Sequence, residues 1–312
     1  MEFLQPTIEL ALPSVSQPTG PTPRSKLDPI VYDTTDYRDS STSCLSDSKI
    51  YKFSSPRSNP PQFATGITFL NINKTNTIRI IAKVSNITME QYEVSLNSYF
   101  TTVKHGAGCT FFEVSQTDPD FQQGHIMTYL PPYPNDHKIT TSLRYTRAFT
   151  EDVEIVTWLN HIDAHCFDTG FLDIDTYSQD VRQEEFSLVY GSCRQPQRVF
   201  VLGSTWIAYQ KCKPGIDSGR IDKLELGLAG AVNEVQGTVI REVVFKKTFT
   251  KPPQVWLALC GINMTFNGDD LRLKTRVVED SITTTGFNYH IISWGKTLLK
   301  TVSLSWLAVE LD

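Results

Sequence analysis

The chain has 312 residues, 40% of them hydrophobic and 20% charged, a composition that can bury cores and excludes wholesale disorder. That length exceeds what one core usually organises, so two or three compact units are expected. With 29 Lys+Arg against 34 Asp+Glu and no basic block, there is no surface to track phosphates, and nucleic acid is not expected as a partner.

In chain order, residues 1–48 are crowded with Pro, Ser and Thr, as in Pro18-Thr19-Gly20-Pro21-Thr22-Pro23. They show no periodicity that could bury a face and read as a mobile arm, either a docking tail or a plain solvated terminus. A basic n-region is missing, and Pro13 cuts the short apolar stretch Leu10-Ala11-Leu12, so no secretory signal is read. No membrane insertion is expected, because no apolar run approaches a span. Cysteines at 44, 109, 166, 193, 212 and 260 contain no Cys-x-x-Cys pair and are too sparse for a disulfide scaffold. The expectation is a cytoplasmic protein with reduced, buried thiols, with release or export lacking a signal peptide left open. The Asn-x-Thr sequons at Asn73, Asn86 and Asn263 then carry no sugar.

From about residue 50 short runs rich in Val, Ile, Thr, Phe and Trp alternate with Gly, Asn, Asp and Pro clusters, the spacing of an all-β sandwich. Thr77-Ile78-Arg79-Ile80-Ile81-Ala82-Lys83-Val84 and Leu271-Arg272-Leu273-Lys274-Thr275-Arg276-Val277 alternate so that one face enters a core while the cations stay wet. No stretch carries a sustained helical period with a cap, and little helix is expected.

One spacing occurs three times. Tyr92, Phe186 and Phe287 lead to Phe111, Trp206 and Trp306 at intervals of 19, 20 and 19 residues. Upstream, Ile78, Leu172 and Leu271 open extended runs, and Phe63, Val153 and Val255 begin apolar strands. Gly124-His125-Ile126 recurs as Gly219-Arg220-Ile221. The repeat of about 95–100 residues is long enough for one sandwich to bury its own core. The expected division is an arm over 1–48, with a strand of the first domain beginning near 30, then domains over 49–115, 116–210 and 211–312. Phe111, Trp206 and Trp306, within apolar strands, are expected in the core.

Phe249-Thr250-Lys251-Pro252-Pro253-Gln254-Val255-Trp256-Leu257, Thr285-Gly286-Phe287, Ser293-Trp294 and Val302-Ser303-Leu304-Ser305-Trp306-Leu307-Ala308 together resemble the H-type lectin domain of snail agglutinins and discoidins. The first repeat keeps Phe53-Ser54-Ser55-Pro56 and Pro60-Pro61-Gln62; the second keeps Trp206-Ile207-Ala208 and lacks the Pro pair. The resemblance implies three tandem six-stranded antiparallel β-sandwiches; three copies on one chain suggest an intramolecular pseudo-trimer, with domains strung apart by their linkers or swapped between chains as the alternatives. It also implies binding of terminal galactose or N-acetylgalactosamine between neighbouring units, and no cofactor. Three sites on one chain would raise avidity toward a multivalent glycan surface without any new contact.

In the family, an Arg on an extended strand, a Trp-His pair and a following Tyr line the sugar pocket. The third repeat offers Arg272, Trp294 followed by Gly295, and Lys300. The first offers Arg79, then Tyr99 and Phe100, then His105; the second offers Asp173 and Cys193-Arg194. Loop acids would be Asp39, Asp136 and Glu234. Plainer readings exist: Arg79 and Arg272 as solubilising strand cations, Trp294 as core, and His105 as a surface imidazole in a flexible Gly-rich loop.

Catalysis finds little support. His161, His165 and Cys166 have a spacing zinc could use, but no fourth ligand is evident. Gly191-Ser192-Cys193-Arg194 is not a nucleophile elbow. Asp173 with Asp175, or Glu184 with Glu185, would be the acids of a glycosidase, although such neighbours on β loops are usually solvated. The reading is a noncatalytic lectin without metal or cofactor, whose partners are glycoconjugates. The alternatives are an interaction module that kept the fold without sugar binding and, behind it, a glycosidase.

Overall fold

A computed structural model describes residues 30–36, 45–73, 77–130, 137–166, 171–192, 197–228, 237–265 and 270–311. Among these the chain is all-β, with eighteen strands, two 3-10 turns and no α-helix. The first six strands are β1 (Val31–Asp33), β2 (Ser46–Lys52), β3 (Gln62–Ile72), β4 (Thr77–Ser85), β5 (Gln91–Ser98) and β6 (Lys104–Val114). Then come β7 (Phe121–Tyr129), β8 (His137–Arg144), β9 (Val153–His165), β10 (Phe171–Gln179), β11 (Glu185–Ser192) and β12 (Arg198–Gln210). The last six are β13 (Ile216–Leu228), β14 (Gly237–Val244), β15 (Gln254–Thr265), β16 (Leu271–Val278), β17 (Gly286–Ser293) and β18 (Leu298–Val309). β1 and the start of β2 fall inside the stretch read from sequence as an arm.

Every group of six consecutive strands makes one sandwich, but no sheet belongs to one group alone. Sheet I runs β1-β6-β3-β16-β17-β14, sheet II β2-β5-β4-β9-β12-β7, and sheet III β13-β18-β15-β10-β11-β8. Three strands of one unit thus continue into three strands of another, with all pairings antiparallel. The seams are β3 against β16, β9 against β4, and β15 against β10. Following them from unit to unit closes a ring. At each seam the third strand of a unit gives up its exposed edge to its neighbour, so its backbone groups pair on both sides.

The aromatic spacing read from sequence is a set of ring contacts between the two layers of each sandwich. Tyr92 meets Phe111 at 5.8 Å, Phe186 meets Trp206 at 5.2 Å, and Phe287 meets Trp306 at 5.7 Å between centroids. All six rings are buried. The recurring glycine has a steric cause. A Cβ on Gly124 would lie 2.6 Å from Cζ2 of Trp206, and one on Gly219 would lie 2.8 Å from Cζ2 of Trp306. In the first unit the smaller Phe111 takes the place of Trp, and Ile30, whose carbonyl accepts from Phe111 N, stands where the glycine would be.

Pairing registers make Thr65, Thr157 and Leu257 equivalent, since they face Phe111, Trp206 and Trp306. Two residue layers flanking them meet on the ring's axis. One holds Ala64, Val156 and Trp256, the other Gly66, Trp158 and Ala258, so each layer has one indole and two smaller residues. A Cβ on Gly66 would come within 2.4 Å of Ala258 Cβ and 2.7 Å of Trp158 Cβ. Trp158 Nε1 donates to Ser305 O and Trp256 Nε1 to Phe111 O, both at 3.0 Å. Both indoles are buried, so both donors needed partners, and each found one in another unit.

Cys109, Cys166 and Cys260 are free and buried, as expected, with the Cys166 and Cys260 thiols pushed up to about 12 by burial. Cys212 differs: it is free but exposed, in the turn after β12. Cys44 and Cys193 lie outside the described residues.

Candidate functional site

The seam in sheet II gathers the most chemistry. Arg79 on β4 faces Asp163 on β9, and two residues along Ile81 faces His161. Paired residues share a face, so Arg79, Asp163 and, across β12, Val201 and Tyr129 form one row of the sheet, while Ile81, His161, Gly203 and Met127 form the next. The face is concave enough for side chains two strands apart to touch, and His161 Nδ1 lies 3.1 Å from Met127 Sδ. Gly203 permits this approach, since a Cβ there would sit 2.7 Å from His161 Cβ.

Above the rows β5 ends and the chain turns through Tyr99 and Phe100. Arg79 Nε donates to Asp163 Oδ1 at 2.9 Å, and Tyr99 OH donates to Asp163 Oδ2 at 3.0 Å. Tyr99 OH also lies 2.9 Å from His161 Nε2. The Arg79 guanidinium stands 4.9 Å from the Phe100 ring centroid. Burial, then the neighbouring Asp163, push the Tyr99 phenol well above its ordinary range, so it remains a hydrogen-bond donor. Burial pushes the His161 imidazole down to about 4; Asp163 opposes the shift and His125 adds to it. The ring is therefore neutral at pH 7.

Two aromatic side chains in this region remain in solvent, Phe100 at 78% exposure and Tyr129 at 77%. Phe100 also has φ 53, a left-handed conformation that costs a residue with a Cβ about 1–2 kcal/mol. An exposed ring returns none of that cost through core burial. A strained backbone holding a bare aromatic beside an Arg–Asp pair is the arrangement of a contact surface.

Arg79, Tyr99 and Phe100 thus come together as the first repeat's assignment implied. His105 does not join them: it lies on β6, two strands from β16 in sheet I, and neither it nor Gly106 and Gly108 is in a flexible loop. In the third repeat Arg272 and Trp294 share the sheet I seam. Arg272 pairs across it with Asn71 and bonds Asp270 at 2.7 Å, and half-buried Trp294 packs 6.0 Å from Phe69. Lys300 is separated from both, because its strand leads into the sheet III seam, where its ammonium lies 5.4 Å from the Phe171 ring. Strand order is the reason: the Arg and Trp elements of a unit go to one neighbour, and its last strand goes to the other. In sheet III, Asp173 accepts from Asn263 Nδ2 at 3.0 Å. Arg194, Cys193, Asp39, Asp136 and Glu234 lie outside the described residues.

His161, Asp163 and Tyr129 were missed as site residues. A signal existed, since the last part of β9 carries His161, Asp163 and His165 at alternate positions, all on one face of the strand. From sequence only a zinc spacing of His161, His165 and Cys166 is weighed there, and set aside for want of a fourth ligand; in the structure Cys166 enters the core, and His161 is engaged by Tyr99 and Met127. No group of three or more His, Cys, Asp or Glu among the described residues could hold a metal ion. Of the glycosidase candidates, Asp175 bonds Arg220 at 2.6 Å, while Glu185 lies 3.7 Å from Arg144 and 3.8 Å from Arg182.

Residues 240–309 match the family model for the H-type lectin domain. The match runs from within β14 to the end of β18 and includes Arg272, Trp294 and Lys300. No curated protein and no solved structure matches the chain significantly.

Proposed function

We propose that this chain is a noncatalytic carbohydrate-binding protein in which three H-type lectin-like units form an internal trimer. The sheet II seam is its principal sugar site, and a terminal galactose or N-acetylgalactosamine is its ligand. The lectin match over residues 240–309 supports the class of ligand. The observation that carries the site is the exposed, backbone-strained Phe100 beside the Arg79–Asp163 pair. Arg79 supplies donors for sugar hydroxyls, Asp163 an acceptor for their protons, and Phe100 and Tyr129 aromatic faces. Galactose suits such a platform because its axial 4-hydroxyl leaves one ring face largely C–H. The sheet I seam, with Arg272 and Trp294, is a second, weaker site that contributes through avidity.

One observation favours the interaction-module reading for that second seam: Arg272 is engaged by Asp270 and Trp294 by Phe69. A glycan array of the intact protein, with free monosaccharide as competitor, separates the two readings. Binding inhibited by galactose or N-acetylgalactosamine is expected. Phe100→Ala should weaken it about tenfold, the loss of one stacking contact, without lowering the thermal midpoint. Folded protein that binds no glycan in a sugar-inhibitable way would overturn the proposal.

A further inference from the structure

Sheets I and III share a register, and comparing them isolates a second site. On β13 Arg220 stands opposite Ser305; on β1 the same place, opposite Thr110, is taken by Val31. In sheet III Arg220 crosses the concave face. Its Nη2 lies 2.6 Å from Asp175 Oδ1 and 3.0 Å from Asp222 Oδ1, its Nη1 lies 2.5 Å from Thr176 O, and its guanidinium is 5.4 Å from the Tyr177 ring. The residues in sheet I at the places of Asp175, Asp222, Thr176 and Tyr177 are Lys274, Asp33, Thr275 and Arg276. Lys274 Nζ already bonds Asp33 Oδ2 at 2.5 Å.

Where sheet III holds a guanidinium, sheet I therefore has a short valine with cations around it. The space is a cleft of about 390 Å³ between units 1 and 3, within the range of small-molecule sites. Ile30, Val31, Val255, Leu257 and Val277 line it with aliphatic surface, and Arg276 and His290, 3.5 Å apart, stand together in its wall. Thr275 also lines it, is 2% exposed, and its Oγ1 is buried without a hydrogen-bond partner among the described residues. In unit 2 the equivalent hydroxyl, Thr176 Oγ1, lies 3.5 Å from Ser204 Oγ across the sandwich. Leu304 takes the place of Ser204 here and offers nothing. Glu279 lines the other end of the β16 wall, about 16 Å from Lys274 at ~3.3 Å per residue.

We propose that this cleft binds a medium-chain aliphatic monocarboxylate. A space that is filled by a cation among carboxylates in sheet III calls, with the signs exchanged, for an anion. The carboxylate lies at the Lys274–Arg276 end, where Arg276 and Thr275 Oγ1 donate to it, and the chain lies on the valine and leucine wall. Glu279 opposes a second anionic end, which selects against dicarboxylates. The site lies on a different sheet from the principal sugar site and does not depend on it; it shares sheet I with the weaker site but its lining includes neither Arg272 nor Trp294.

Calorimetric titration of the full-length protein with decanoate tests this. Saturable single-site binding is expected, weakened at least about tenfold in Arg276→Ala, the loss of one charge-assisted hydrogen bond. It should be abolished in Val31→Phe, which fills the cleft. Both side chains are exposed, and an unchanged thermal midpoint verifies that the variants fold. Decyltrimethylammonium and decanedioate should not bind. The proposal is overturned by the absence of saturable decanoate binding, by equal affinity in both variants, or by equally tight binding of the ammonium compound, which would mean a greasy groove without charge selection.

Discussion

At the residue scale, His161 makes the sheet II seam sensitive to acid. The folded protein holds its imidazole at about 4, against 6.5 for the ordinary group. A depressed folded value means that its contribution is complete above 6.5 and is lost as pH falls toward 4. Urea titrations should show a loss of about 2–3 kcal/mol between pH 7 and pH 4.5 from this residue. His161→Gln should flatten that part of the profile, and an identical slope in the variant would remove His161 as the cause. Glycan binding by the folded protein should hold over that interval and weaken only as pH falls through about 4, where the folded ring takes its proton and an imidazolium would compete with Arg79 for Asp163. Phe100 shows what sequence could and could not convey at this scale. Its place after Tyr99 was legible from the family pattern, but its positive φ was not, because only the turn from β5 into β6 imposes it.

At the element scale, the legible part was whatever a strand does within its own unit. Ring pairs 19 or 20 residues apart identified strands that face each other, and alternation on residues 77–84 and 271–277 identified strands with one wet face. The illegible part was which edge each strand presents to a neighbour. Arg79 looked like a solvated strand cation because Asp163 is 84 residues away, and no local period announces a partner at that distance. The apolar strand opened by Val153 aligns two residues further on: by register Ile155 is the equivalent of Phe63 and Val255. The seams should be separable by mutation. Asp163→Ala removes the carboxylate that holds Arg79 and Tyr99, and should cost on the order of 3 kcal/mol in stability. Asp163→Asn should recover most of this while still losing affinity for sugar. Equal stability of wild type and Asp163→Ala would mean that the pair is idle.

At the scale of the whole molecule, the axis decides how units combine. One tryptophan per layer fills a space bounded by small residues of the other units, and replacing it leaves a cavity that backbone pairing cannot close. Trp158→Ala should cost about 3–5 kcal/mol in chemical denaturation, and it also leaves Ser305 O without its donor. Gly66→Val should destabilise by about 1–3 kcal/mol through overpacking at the same point. Light scattering should give one compact particle near 35.2 kDa. Residues 211–312 expressed alone should not form a stable trimer, because threefold repetition would bring three Trp256 side chains into a layer built for one; a well-folded homotrimer of that fragment would refute this account of the axis.

The same asymmetry gives the polypeptide a sense of rotation. The first unit lends its third strand to the last, the last to the middle one, and the middle one to the first, so the circuit runs against the direction of synthesis. Joining the last unit to the first and cutting at another junction between units would preserve every neighbour relation. Exchanging the order of two units would reverse the circuit and with it the handed sequence of large and small residues around each layer, even though each module kept its own sequence. Gene architecture is thus constrained here by chirality at the centre of the ring as well as by the stability of its parts.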